Sequence, residues 1–220
     1  MSRPARPARS GAIPLALLVV LCFVAPARAQ PPGAVGTVAA LIGEALVVHH
    51  GETQARPLSE GAPVLEGDRI RTQAGARLRL VLEDGSVLQL GENTSLDLDW
   101  VLHAPARGTS NVLLELSSGI MRAIVDQLVP NALYQVVTHT AVTSVRGTEW
   151  IAEAMPAATA VVALDGAVAV RNRADAISGE VVLGPGEGTT VEAAAPPDPP
   201  AVWGDARRQS FIERTTVPER

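Results

Sequence analysis

The chain has 220 residues, enough for one domain of ordinary size with tails and for a real hydrophobic core. Apolar residues make up 47 % but aromatics only 3 %, so Val, Leu, Ile and Ala must build that core, leaving little volume for a deep aromatic-lined pocket. With 23 acids against 18 basic residues, all arginine, the net charge of −5 argues against nucleic acid or anionic lipid as a partner, since phosphates require clustered cations.

Residues 1–29 read as a secretory signal peptide. Arg3, Arg6 and Arg9 form a basic region, Ile13 to Val24 an apolar one, and Ala27-Arg28-Ala29 a cleavage motif. The apolar run falls short of the roughly 20 residues that a bilayer span needs. A lipid anchor would use Cys22, but Leu21 stands where a small residue is required. Cleavage after Ala29 is the expectation. It removes the only cysteine, and with it any thiol chemistry. It also removes Arg3, Arg6, Arg9 and Arg28, leaving 14 arginines against 23 acids, a formal charge of −9 and no stable membrane insertion.

Residues 30–35 form a Pro-rich lead-in, and residues 36–192 read as a single all-β domain. Strands are expected at Val38–Ile42 and Ala45–His49, joined by Gly43-Glu44, with turn signals at Glu60-Gly61 and Glu66-Gly67-Asp68. From Arg77 to Leu90, Leu78, Leu80 and Leu82 alternate with charged residues, and Leu88 and Leu90 follow Asp84-Gly85. Such period-two patterning predicts a half-buried antiparallel hairpin. Ser95–Trp100 repeats it, with Leu96, Leu98 and Trp100 expected inward and Ser95, Asp97 and Asp99 outward. His103–Asn111 reads as a loop, followed by strands at Val112–Leu116, Ile120–Val125 and Tyr134–Thr138.

From Thr140 to Asn172 three apolar, β-branched runs are broken by Arg146-Gly147-Thr148 and Asp165-Gly166. An Asp-Gly pair between such runs predicts a β-hairpin, Thr159–Leu164 with Ala167–Arg171. Gly147 interrupts a strand and predicts a bulge or a close backbone approach. Val181–Leu183 and Gly184-Pro185-Gly186 close the domain. Residues 193–220 hold an Ala/Pro-rich linker and a tail, in which Trp203–Arg214 reads either as one short helix, docking Trp203, Phe211 and Ile212, or as a frayed end. Short strands and frequent turns fit a jelly-roll-like sandwich and a solenoid-like stack of small sheets equally well.

The order Val145-Arg146-Gly147-Thr148-Glu149-Trp150, then Leu164-Asp165-Gly166-Ala167-Val168-Ala169-Val170, resembles the core of the FecR domain family, named after a periplasmic regulator of ferric-citrate uptake. Earlier landmarks agree in order: Gly36-Thr37-Val38, Gly43 to Val47, Leu65 to Thr72, and Leu82 to Ser86. The resemblance runs from about Gly36 to Val191. It implies an all-β domain of a Gram-negative envelope, and it makes Val145, Arg146, Gly147, Thr148, Trp150, Asp165 and Gly166 the motif residues, structural or binding. In full regulators of that family the domain follows a cytoplasmic anti-sigma segment and a membrane helix and relays signals from an outer-membrane receptor. With a cleavable leader in their place, direct contact with a sigma factor is not expected.

Candidate chemistry is sparse. Neighbouring His49 and His50 point to opposite faces of a strand, and His103 and His139 lack zinc-site spacing. Asp97 and Asp99 lack the glycine and distal glutamate of a calcium loop. Glu149 and Glu153 share a strand face but have only Trp150 as a sugar platform. For Arg146, a guanidinium stapling neighbouring turns is expected over a binding role. No cofactor, metal or catalytic residue is expected, and the chain is read as a non-enzymatic binding or sensor module. The expected partner is an envelope protein contacting a strand edge near Thr138–Trp150. The alternative is a structural envelope protein that self-associates or binds polysaccharide.

Overall fold

The computed structural model describes residues 33–104, 109–125, 133–145 and 147–218. The leader expected at 1–29, including Cys22, and Arg146 of the motif lie outside the described residues.

The chain is all-β, built as two stacked layers, with one helix among the described residues. The first layer holds, in spatial order, β4 (Pro63–Leu65), β1 (Ala34–Ile42), β6 (Arg77–Leu82), β7 (Val87–Leu90), the second part of β9 (Thr109–Ile124), β12 (Glu149–Ala154), β13 (Ala158–Asp165), β16 (Glu187–Glu192) and β17 (Ala201–Val202). The second layer holds β3 (Arg56–Pro57), β2 (Ala45–Val48), β5 (Arg69–Thr72), β8 (Ser95–Ala104), the first part of β9, β10 (Leu133–Val137), β11 (Ala141–Val145), β14 (Val168–Asn172) and β15 (Glu180–Leu183). β9 crosses from one layer to the other and makes the hydrogen bonding continuous. Its pairing with β10 is parallel, and the other pairings are antiparallel.

The chain keeps changing layer. β1 turns into β2, β5 into β6, β7 into β8, β11 into β12, β13 into β14, and β15 into β16. The result is a flattened stack of rungs, each a strand of one layer joined by a corner to a strand of the other, which favours the solenoid-like alternative. Inward side chains from both layers form one core that includes Leu78, Leu80, Leu88, Leu96, Leu114, Val136, Val161 and Trp150.

Three expectations are corrected. The Arg77–Leu90 alternation does give a hairpin, with Leu82 N–H donating to Ser86 O at 2.9 Å. Asp165-Gly166 does not. β13 already pairs with β12 and β16, so the chain leaves it for the other layer, where β14 pairs with β11 and β15. A turn dipeptide sets local backbone angles but not which strand becomes the neighbour. Next, β8 and β9 extend through His103, Ala104 and Thr109 to Asn111, most of the stretch read as a loop. Finally, the register of β8 against β9 slips between Asp97 and Trp100, because three steps on β8 match two on β9. This bulge inverts the alternation. Val101 turns into the core and Trp100 turns out.

The helix α1 (Asp205–Thr215) lies on the outer face of the first layer. Asp205 in its first turn and Arg214 in its last complement the helix dipole. Eleven residues make a marginal helix alone, so packing must hold it. Phe211 and Trp203 meet edge-on at 5.4 Å between ring centroids and cover Ile120, Ile151, Ala160 and Val162. Glycine is required at Gly188, because a Cβ there would sit 2.2 Å from the Trp203 ring.

Candidate functional site

The described motif residues converge on one corner between the layers. Val145 ends β11, and Thr148 exchanges backbone hydrogen bonds with Val125 at 3.0 and 3.1 Å. Trp150 is fully buried, its ring edge-on to Tyr134 at 5.5 Å. Gly166 backs onto Gly147 and Thr148, while Asp165 is exposed at the end of β13. The described residues Val145, Gly147, Thr148, Trp150, Asp165 and Gly166 therefore set the geometry of two stacked corners. The strand edge expected near Thr138–Trp150 is absent, since β11 lies between β10 and β14 and β12 between β9 and β13. Non-local pairing has used both sides of each strand.

The first layer's outer face holds a cleft of about 360 Å³ beside α1, lined by Arg122, Glu149, Leu164, Asp205, Arg208, Gln209 and Ile212. Its charges are matched internally. Arg122 Nε donates to Glu149 at 2.7 Å, and Arg208 pairs with Asp205. Glu153, the other half of the imagined carboxylate pair, is held by Arg214. His49 Nδ1 lies 2.8 Å from Oδ1 of the buried Asp68, whose Oδ2 accepts from the Leu65 N–H at 2.8 Å, so this histidine braces a turn. Among the described residues no three His, Cys, Asp or Glu are grouped to hold a metal.

Among the described residues no helix covers the second layer's outer face. Its register sets Trp100, Leu113, Gln135, Ser144, Ala169 and Val182 side by side across neighbouring strands. Trp100 is 49 % exposed, and Leu133 and Val182 are 48 % and 59 % exposed. Gln135 Nε2 donates to Ser144 Oγ at 3.1 Å in the middle of this band. Asp97, Asp99 and Glu115 lie beside it. Arg69 Nε donates to Asp97 at 2.6 Å, and Arg173 to Glu115 at 2.9 Å. Asp99 has no ion pair among the described residues. Partial burial pushes its carboxyl above the usual carboxylate range, the charges of Asp97 and Glu115 push the same way, and Arg69 opposes them. Patterning alone could not find this site, because the bulge that exposes Trp100 leaves no mark in the alternation.

The β stack thus carries its helix on the first layer and an exposed tryptophan on the second. Residues 68–169 match the family model described as FecR protein. The matched segment is narrower than the resemblance read from the motifs but contains the whole Val145–Trp150 run and Asp165-Gly166. Two crystal structures of a candidate anti-sigma factor from Parabacteroides distasonis ATCC 8503, at 2.50 and 1.65 Å resolution, share the fold with TM-scores of 0.54 and 0.53 at 18 % identity. The match covers 66 % of this chain and 63 % and 64 % of those chains, so this chain spans less than two thirds of their length. No curated protein matches the chain in sequence.

Proposed function

We propose that this FecR-domain protein is a non-enzymatic binding or sensor module of the cell envelope, exported by its N-terminal leader, and that it recognises a protein partner through the open face of the second layer. The observation that carries the reading is the bulge at Leu98–Asp99, which takes a tryptophan out of a strand that would otherwise bury it. Bulges recur where a side chain is re-aimed for function, and exposed Trp is enriched among residues that dominate protein interfaces. An exported location also places the domain where the acidic mature surface meets proteins rather than nucleic acid.

Cross-linking of the periplasmic fraction, pull-down of the tagged chain and mass spectrometry test the reading. One protein partner at a fixed ratio, lost with Trp100→Ala while the thermal midpoint is kept, is the expected result. Self-association or polysaccharide binding indifferent to Trp100→Ala would overturn it in favour of a structural envelope role.

A further inference from the structure

The open face ends in a strand edge that sequence patterning did not reveal. β8 pairs with β9 along its length, in unbroken register from Trp100–Leu113 to Ala104–Thr109. On its other side β5 accompanies it only from Ser95 to Asp97. The turn at Gly67-Asp68 closes the next position, with Gly67 N–H donating to Leu98 O at 2.7 Å and Leu98 N–H to Asp68 O at 2.9 Å. From Asp99 to Ala104, no strand among the described residues lies along that side. The other edges of this layer are shorter, four residues in β15 and two in β3.

We infer that the Asp99–Ala104 edge of β8 accepts an extended, basic segment of the partner protein as an added strand, with Trp100 as its apolar anchor. The inference rests on the binding-module reading and specifies the partner's chemistry. A free strand edge offers backbone donors and acceptors at strand spacing, which an extended segment matches and a helix does not. The added strand would bring its side chains beside Trp100 on one face. The same cross-strand position sets a residue of the incoming segment against Asp99, which has no ion pair among the described residues and stands near Asp97 and Glu115. An arginine or lysine there supplies the missing charge. A second copy of this chain is disfavoured, because antiparallel pairing of two Asp99–Ala104 edges sets each Asp99 against the uncharged Ala104 and supplies no counter-charge.

The test replaces Trp100 with the photo-cross-linking residue benzoylphenylalanine in the full chain, in the native envelope, and sequences the cross-linked peptides. The expected capture is one partner segment of extended conformation, with Arg or Lys within about two residues of the cross-link, matching the two-residue repeat of a strand face. Asp99→Lys should cut the yield at least about tenfold and Asp99→Asn by less, with circular dichroism showing both variants folded, as exposed charge changes rarely unfold a domain. Capture that survives Asp99→Lys, or that maps to a helix, a glycan or a second copy, overturns the added strand and leaves the binding-module reading standing. No capture of any partner overturns both.

Discussion

The Thr148 hydroxyl donates to the Ala167 carbonyl at 3.2 Å, tying the corner between β11 and β12 to the corner between β13 and β14. Both corners run on glycine. Gly147 has φ 60° and Gly166 φ 74°, and a Cβ on Gly166 would fall 2.9 Å from the Gly147 carbonyl oxygen and 3.2 Å from Thr148 Cα. Gly166→Val therefore meets strain and backbone at once. It should destabilise the domain by about 1–3 kcal/mol, and Gly147→Val should do so through its backbone angle. An unchanged urea midpoint for both variants would show that these corners are not fixed as described.

The two Asp-Gly pairs show how far the sequence could be read. Asp84-Gly85 and Asp165-Gly166 carry the same turn chemistry between the same kind of apolar runs. At Asp84-Gly85 the flanking strands pair with each other, and at Asp165-Gly166 they go to different layers. Alternation therefore marked the buried faces, including Leu78, Leu80, Leu88 and Leu90, and turn residues marked where strands stop. The choice of neighbour, and the bulge that exposes Trp100, are decided by long-range pairing that leaves no local trace. The same holds for ion pairs such as Arg214 with Glu153, which lie 61 residues apart in sequence. At the candidate site, the described motif residues were legible as a group, and they meet at the two stacked corners.

Phe211 is the main anchor of α1, and its ring seals Ile151 and Val162 from solvent. Phe211→Ala should cost the docked state about 3 kcal/mol. Because so short a helix is marginal on its own, the loss should be local. Hydrogen exchange should show α1 amides deprotected while β12 and β13 stay protected, with increased binding of a hydrophobic dye. Protected α1 amides in the variant would mean that something other than this contact holds the helix.

Glu149 is the residue on which a hydrolytic reading would turn. Its carboxylate accepts from Arg122 in a largely buried ion pair, a structural use. Wild-type chain screened against glycosidase, esterase and peptidase substrates should show no turnover. Glu149→Gln should lower stability by about 1–3 kcal/mol, because Arg122 keeps its charge and loses a charged acceptor. Turnover that vanishes with Glu149→Gln would overturn the non-enzymatic proposal.

Tyr134 is the only tyrosine in the chain, so its ionisation can be followed without assignment. It is buried against Trp150, and its hydroxyl finds no hydrogen-bond partner among the described residues. Burial pushes its phenol well above the ordinary value of 10.0, and the negative charge of Asp84 pushes it further. The unfolded chain, with an ordinary tyrosine, ionises near pH 10. Below that pH both states hold the proton and the residue's contribution to stability is fully present. As pH rises from 10 towards the folded value, the unfolded state alone releases its proton and stability falls. Near-ultraviolet phenolate absorbance should therefore stay silent as pH passes 10 and appear only together with the collapse of far-ultraviolet ellipticity. Tyr134→Phe removes both the titration and an unpartnered hydroxyl, so it should withstand alkali better than wild type at no loss near neutral pH. A phenolate signal that rises near pH 10 while the fold stays intact would place Tyr134 in contact with water, and the core between β10 and β12 would have to be redrawn.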